Sequence, residues 1–209
     1  MTVALSQFSP LVAPEVPGCP AQIIANKILK SAISFCEGTG AWIYEHADIS
    51  TVAGTRSYAF VPPTGGVVDS ILEAFYNGEP LLPKSIMDLQ EIYPSGWRSE
   101  QDTPLYYLRL VETSLDLAPK PSAVGTISLL VTCKPALTAT VVEDFLYNSH
   151  ADTIAAGAKA LLMAMPGQRW TNPGLMAFNQ SEFDSGVASA RLSVSTGKVG
   201  AVLRVKPCV

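Results

Sequence analysis

Apolar residues recur along this chain at two periods, and the change of period marks its segments. Beyond Pro20, residues Ile24, Ile28, Ala32 and Phe35 fall on one face at helical intervals, with Ile23 and Cys36 beside them. Pro20 suits a first helical turn, where its missing N–H has no partner to lose. Glu37-Gly38-Thr39-Gly40 ends the run, with glycine able to form a left-handed cap. A second helix is predicted over 140–166. Thr140 and Glu143 have capping-box spacing, and Phe145 and Leu146 open a stripe continued by Ile154, Ala158, Leu161, Leu162 and Met165. Pro166-Gly167 forbids its continuation. Gly157 and the alanines at 155, 156, 158 and 160 make this helix thin, so another helix can approach closely. A third helix starts at Asn172 as cap with Pro173 in its first turn. It carries Met176, Phe183, Val187, Ala190 and Val194 on one side and stops at Gly197.

Between 41 and 138 the texture changes to short β-branched and aromatic runs at 42–44, 49–52, 56–60, 67–76, 105–111 and 126–132. Turn residues separate them, and Asn77-Gly78 is the clearest hairpin signal because both residues tolerate positive φ. A short helix over 85–93, capped by Ser85, interrupts this region, and Tyr93-Pro94-Ser95-Gly96-Trp97 forms an aromatic turn. Residues 1–17 hold three prolines and no helical period, which reads as an extended arm. Its Phe8, Leu11, Val12 and Val16 are too apolar for a solvated tail, so it lies along a neighbouring subunit or on its own domain. The last stretch alternates apolar residues with Lys198, Arg204 and Lys206, as an edge strand, a clamp on a partner or a basic contact to nucleic acid would. The expected fold is α+β. A three-helix bundle (19–40 with 139–197; one helix before, two after) carries an inserted small antiparallel β-domain (41–138) and extended arms at 1–18 and 198–209.

Hydrophobic residues make up 48% of the 209 and charged residues only 15%, a balance that favours extensive burial between subunits. No apolar run reaches the length of a membrane span, and no basic, apolar leader opens the chain. Cys19, Cys36, Cys133 and Cys208 lie too far apart for a metal or redox motif and are expected as reduced, mostly buried thiols. A net charge of −4 speaks against a general polyanion binder. His46 and His150 belong to no metal motif, and helical geometry keeps His150 from sharing a face with Asp144 or Asp152. Glu143-Asp144 and Asp88 with Glu91 read as helix-start charges. Neither a nucleophile elbow nor a phosphate-binding glycine loop occurs. No catalytic residue, metal or cofactor is therefore expected, and the chain does not read as an enzyme. Tyr93, Trp97, Tyr106 and Tyr107 offer an alternative, a monomeric carbohydrate- or receptor-binding β-module on a helical stalk, provided the rings are exposed and coplanar.

Several stretches, taken in order, resemble one family. Ala32-Ile33-Ser34-Phe35-Cys36-Glu37-Gly38-Thr39, after Cys19-Pro20 and leading to Trp42, is similar to its A-x-x-F-C-E-x-T-x-x-W pattern. Val52-Ala53-Gly54-Thr55-Arg56-Ser57-Tyr58, Asn77-Gly78-Glu79-Pro80-Leu81, Pro94-Ser95-Gly96-Trp97 and Pro104-Leu105-Tyr106-Tyr107 follow. Then come the 154–162 stretch around Gly157, Met165-Pro166-Gly167-Gln168-Arg169-Trp170 and Asn172-Pro173. Together they resemble the head-to-tail adaptor (connector) proteins of tailed double-stranded DNA bacteriophages, over about residues 19–190. Gly38 and Lys159 depart from the family's usual residues. The resemblance implies a structural virion protein of the neck, assembled in the bacterial host cytoplasm. It would form a homo-oligomeric ring, a dodecamer, docked under the portal and joined to a tail or nozzle protein. Double-stranded DNA would pass without sequence-specific contact, retained after packaging and released at ejection. The expected partner and subunit contacts are Phe8, Leu11, Gly157, Lys159, Lys198, Arg204 and Lys206, with Phe35, Trp42, Trp97 and Trp170 as structural anchors.

Overall fold

The computed structural model describes residues 1–197. In chain order the elements are β1 (Thr2–Ala4), α1 (Ser9–Val12), α2 (Ala21–Thr39), β2 (Ile43–Ser50), β3 (Ser57–Ala59), β4 (Gly66–Tyr76), β5 (Glu79–Pro80) and β6 (Leu82–Pro83). There follow α3 (Ile86–Ile92), β7 (Gln101–Asp102), β8 (Tyr106–Leu108), β9 (Ser114–Ala118), β10 (Lys120–Pro121), β11 (Thr126–Pro135), β12 (Val141–Glu143), α4 (Asp144–Met163) and α5 (Pro173–Ser195). They divide into two compact units, Met1–Trp42 with the chain from Lys134 onward, and Ile43–Cys133.

A three-helix bundle with a small β-domain is not what forms. The described residues are mixed α+β, with five α-helices and several sheets, 41% helical and 27% strand. Two features of the chain hide this from a pattern reading. Prolines 10 and 14, which suggest an extended arm, stand in the first turns of α1 and of a 3₁₀ turn, Ala13–Glu15. A proline loses nothing there. In addition, strands covered on both faces do not alternate. β9 (SLDLA) has four buried residues in succession and no period to betray it.

In the first unit, α2, α4 and α5 pack on one another, and α1 lies against α2 and α4. Pro20 precedes α2 as its cap, and Gly40 closes it at φ 62°. Ile24, Ile28, Ala32 and Phe35 are buried as their spacing predicts. The second helix differs from expectation at its start. Val141–Glu143 pairs antiparallel with Thr2–Ala4, so α4 begins only at Asp144 and no Thr140–Glu143 capping box forms. Glu143 Oε2 meets the terminal amine at 3.5 Å, and Asp144 N donates to the Met1 carbonyl at 3.0 Å. Residues 1–16 are therefore wound against their own unit, with Leu5, Phe8, Val12 and Val16 buried.

The thin stretch of α4 works as its composition predicts, but toward partners in the same chain. A Cβ on Gly157 would stand 2.6 Å from the Phe183 ring and closer still to Ser31 Oγ. Ser31 Oγ donates 2.7 Å to the Ile154 carbonyl, a buried bond from α2 to the backbone of α4. Across the other seam, a Cβ on Gly186 would meet Thr153 at 2.5 Å. Helices approach this closely only where side chains are absent.

The second unit holds two four-stranded sheets, ordered β2-β11-β4-β5 and β3-β9-β8-β6, and a separate β7–β10 pair. It is not purely antiparallel: β6 runs parallel to β8, and β7 to β10. The Asn77-Gly78 hairpin forms as predicted, with φ of 51° and 85° and Tyr76 opposite Glu79. The two runs at 42–44 and 49–52 prove to be one continuous strand, β2, paired with β11 through a bulge at 127–129. Ser85 caps α3 with a full capping box, its Oγ accepting from Asp88 N at 3.2 Å and its N donating to Asp88 Oδ2 at 3.1 Å.

Candidate functional site

Helix α5 begins at Asn172, whose Oδ1 accepts from Leu175 N at 3.1 Å, with Pro173 in the first turn as its sequence predicts. Met176, Phe183, Val187 and Val194 are half-buried toward the unit, yet only Asn179 and Ala190 of its 23 residues are fully buried. The opposite side carries Leu175, Phe178 and Leu192, the latter two 60% and 58% exposed. At 3.6 residues per turn these three fall within an arc of about 100°. Between them stand Glu182, Ser185 and Ser189, short or charged residues that leave the face shallow. A groove of about 430 Å³ runs from this face toward α4, with Ala156, Thr153 and Gly186 among its lining and Asp152, Glu182 and the paired Lys159 and Glu15 as its charged groups. This second apolar face was open to a sequence count, since 175, 178 and 192 share a side. The stronger stripe on the buried side masks it.

The expected contact residues are not brought together. Phe8 is fully buried, its ring edge-on to Tyr147 at 5.1 Å, so it belongs to the interior of its own unit. Leu11 is half-buried beside it in sequence. Gly157 is taken up by Ser31 and Phe183, and Lys159 Nζ meets Glu15 Oε1 at 2.5 Å. Lys198, Arg204 and Lys206 lie outside the described residues. Phe35, Trp42, Trp97 and Trp170, the expected anchors, are all buried. His150 interrupts α4 with φ −136° and ψ 16° and stacks obliquely on Phe35 at 4.7 Å, a feature no sequence pattern signalled.

In the second unit the chemistry-bearing side chains act as structural pins. Asp116, inside β9, is buried and accepts from Arg56 Nε at 3.0 Å. Arg109 donates to the Asp69 and Val68 carbonyls at 2.5 and 2.9 Å and to the Glu112 carbonyl, with its guanidinium 5.4 Å from the Phe60 ring centre. His46 is buried with both nitrogens engaged, Nε2 accepting from Val61 N at 2.7 Å and Nδ1 facing the Ala47 carbonyl at 2.6 Å. Burial, helped by the charge of Asp69, pushes the Cys133 thiol up from the ordinary 9.0 to about 11. Among the described residues Cys19, Cys36 and Cys133 form no disulfide, and no three His, Cys, Asp or Glu converge to hold a metal ion. No helix of the described residues is long and apolar enough to cross a membrane.

The aromatic set does not form a flat platform. Trp97 is 1% and Tyr107 9% exposed, while Tyr93 and Tyr106 meet at 68° with centroids 6.5 Å apart. Burial raises the hydroxyl pKa of Tyr93 and Tyr107. A stacked sugar needs an exposed ring face, and these rings cover Leu89, Leu108 and Ala118 instead. No protein-family model matches the chain, and no curated protein matches it.

Proposed function

We propose that the chain is a head-to-tail adaptor of a tailed double-stranded DNA bacteriophage. Copies of it form a ring under the portal, joined to the tail and traversed by DNA. Two independent supports carry this reading: the ordered motifs of the family along residues 19–190, and the outer face of α5. That face puts Leu175, Phe178 and Leu192 into solvent on a helix otherwise held by its other side. An exposed apolar patch bordered by polar residues marks an interaction surface. Repeated around an axis, a contact between two different faces of like subunits closes into a ring. The sparse charge of the chain agrees, since obligate interfaces are depleted of charged residues.

The mass of the purified protein in solution, alone and mixed with a portal ring, tests the assignment. The expected species is a multi-subunit ring, or a complex formed on the portal. Phe178→Asp with Leu192→Asp alters only exposed positions, so the fold is retained while the assembly falls to monomer. A wild-type protein that stays monomeric and ignores the portal overturns the proposal.

A further inference from the structure

A cleft of about 630 Å³ opens in the second unit, lined by Gln90, Tyr93, Trp97, Arg98, Ser99 and Lys120 among others. Its size lies within the range that takes small ligands or a docked side chain. One wall is an indole of unusual surroundings. Trp97 has two guanidinium carbons near its ring centre, Arg56 at 5.1 Å and Arg98 at 4.6 Å. Arg56 is committed to Asp116. Arg98 is exposed, and among the described residues neither its fork nor the Lys120 ammonium has an ion-pair partner. Trp97 Nε1 is buried and has no hydrogen-bond partner among the described residues.

We infer that this cleft binds a carboxylate carried on an apolar stem, seated on Arg98 and Lys120 beside Trp97. The guanidinium edge presents parallel donors that match two carboxylate oxygens, and Lys120 adds a point charge. Tyr93 and Pro94 supply apolar walls for the stem. Glu100 and Asp102 lie close enough for their charge to act on Tyr93, which limits how much negative charge the cleft accepts. That field favours a single carboxylate over a polyphosphate or a duplex, which brings a charge about every 1.7 Å. The inference does not depend on the ring assignment.

Free organic acids and acidic side chains share this chemistry, and two probes separate them. Benzoate and acetyl-glutamate-amide are each titrated calorimetrically into the full chain, with acetamide as the neutral control. Benzoate binding alone identifies a free aromatic acid as the ligand class, and binding of the blocked glutamate identifies an acidic side chain. In either case Arg98→Gln weakens binding by about tenfold or more and the Arg98→Gln, Lys120→Gln pair removes it. Arg98 is exposed and Lys120 half-buried without an ion pair, so an unchanged circular dichroism spectrum and melt keep the comparison valid. The inference falls if neither acid binds, or if both substitutions leave binding unaltered.

Discussion

Burial of titratable side chains sets part of this protein's response to pH. Cys133 is the clearest case, a fully buried thiol pushed up to about 11. A raised thiol pKa means that the folded state holds its proton where the unfolded state has released it. The stabilisation is complete below about 9 and is lost as pH rises toward about 11. Denaturant midpoints measured at pH 8 and pH 10.5 are expected to fall more steeply for the native protein than for Cys133→Ala. Equal slopes would place the loss elsewhere. Little of this was visible from residue order. Asp116 is one acid in an apolar run, and only the pairing of β3 with β9, which sets Ser57 opposite it, brings neighbouring Arg56 within reach.

At the scale of elements, local chemistry set starts and turns, while long-range pairing set everything else. Ser85, Asn172 and Asn77-Gly78 do what their residue types dictate, because a cap or a two-residue turn involves neighbours in sequence only. Thr140 and Glu143 fail as a cap because β1 claims that backbone from more than a hundred residues away. The helix seam makes a prediction whose sign separates packing from propensity. Replacing Gly157 by alanine gains up to about 1 kcal/mol in intrinsic helix preference. The added methyl meets Phe183 and Ser31 in a filled seam, at a cost of about 1–3 kcal/mol. Net destabilisation, seen as a melting temperature lower by several degrees, is the expected outcome. A stabilised variant would mean that α2 and α5 have room to move apart.

For the whole molecule, the two termini are expected to behave oppositely. Residues 1–8 contribute a strand pairing with β12 and the fully buried Phe8, so their removal opens a cavity in the first unit. Losing a buried phenylalanine alone costs about 3–5 kcal/mol, a large share of a domain's stability. A strongly lowered melt or an insoluble product follows. Residues 198–209 carry the alternating basic and apolar pattern suited to docking on a partner. Their deletion is expected to leave the melt in place and weaken assembly, read as a shift of mass toward smaller species. An unchanged assembly would remove the docking role, and an intact melt after the N-terminal deletion would contradict the packing of Phe8.

Residue order by itself determined where helices α2 and α5 begin and stop, which face of α2 is apolar, and where the tight hairpin turns. Each of these rests on spacing within one or two turns of chain. Tertiary structure alone decided that the proline-rich start winds onto its own unit, that α4 breaks at His150, that the strands sort into two sheets, and that Trp97 lies among two arginines. Those outcomes depend on which distant segments cover one another, and burial on both faces erases the alternation by which a sequence announces a strand.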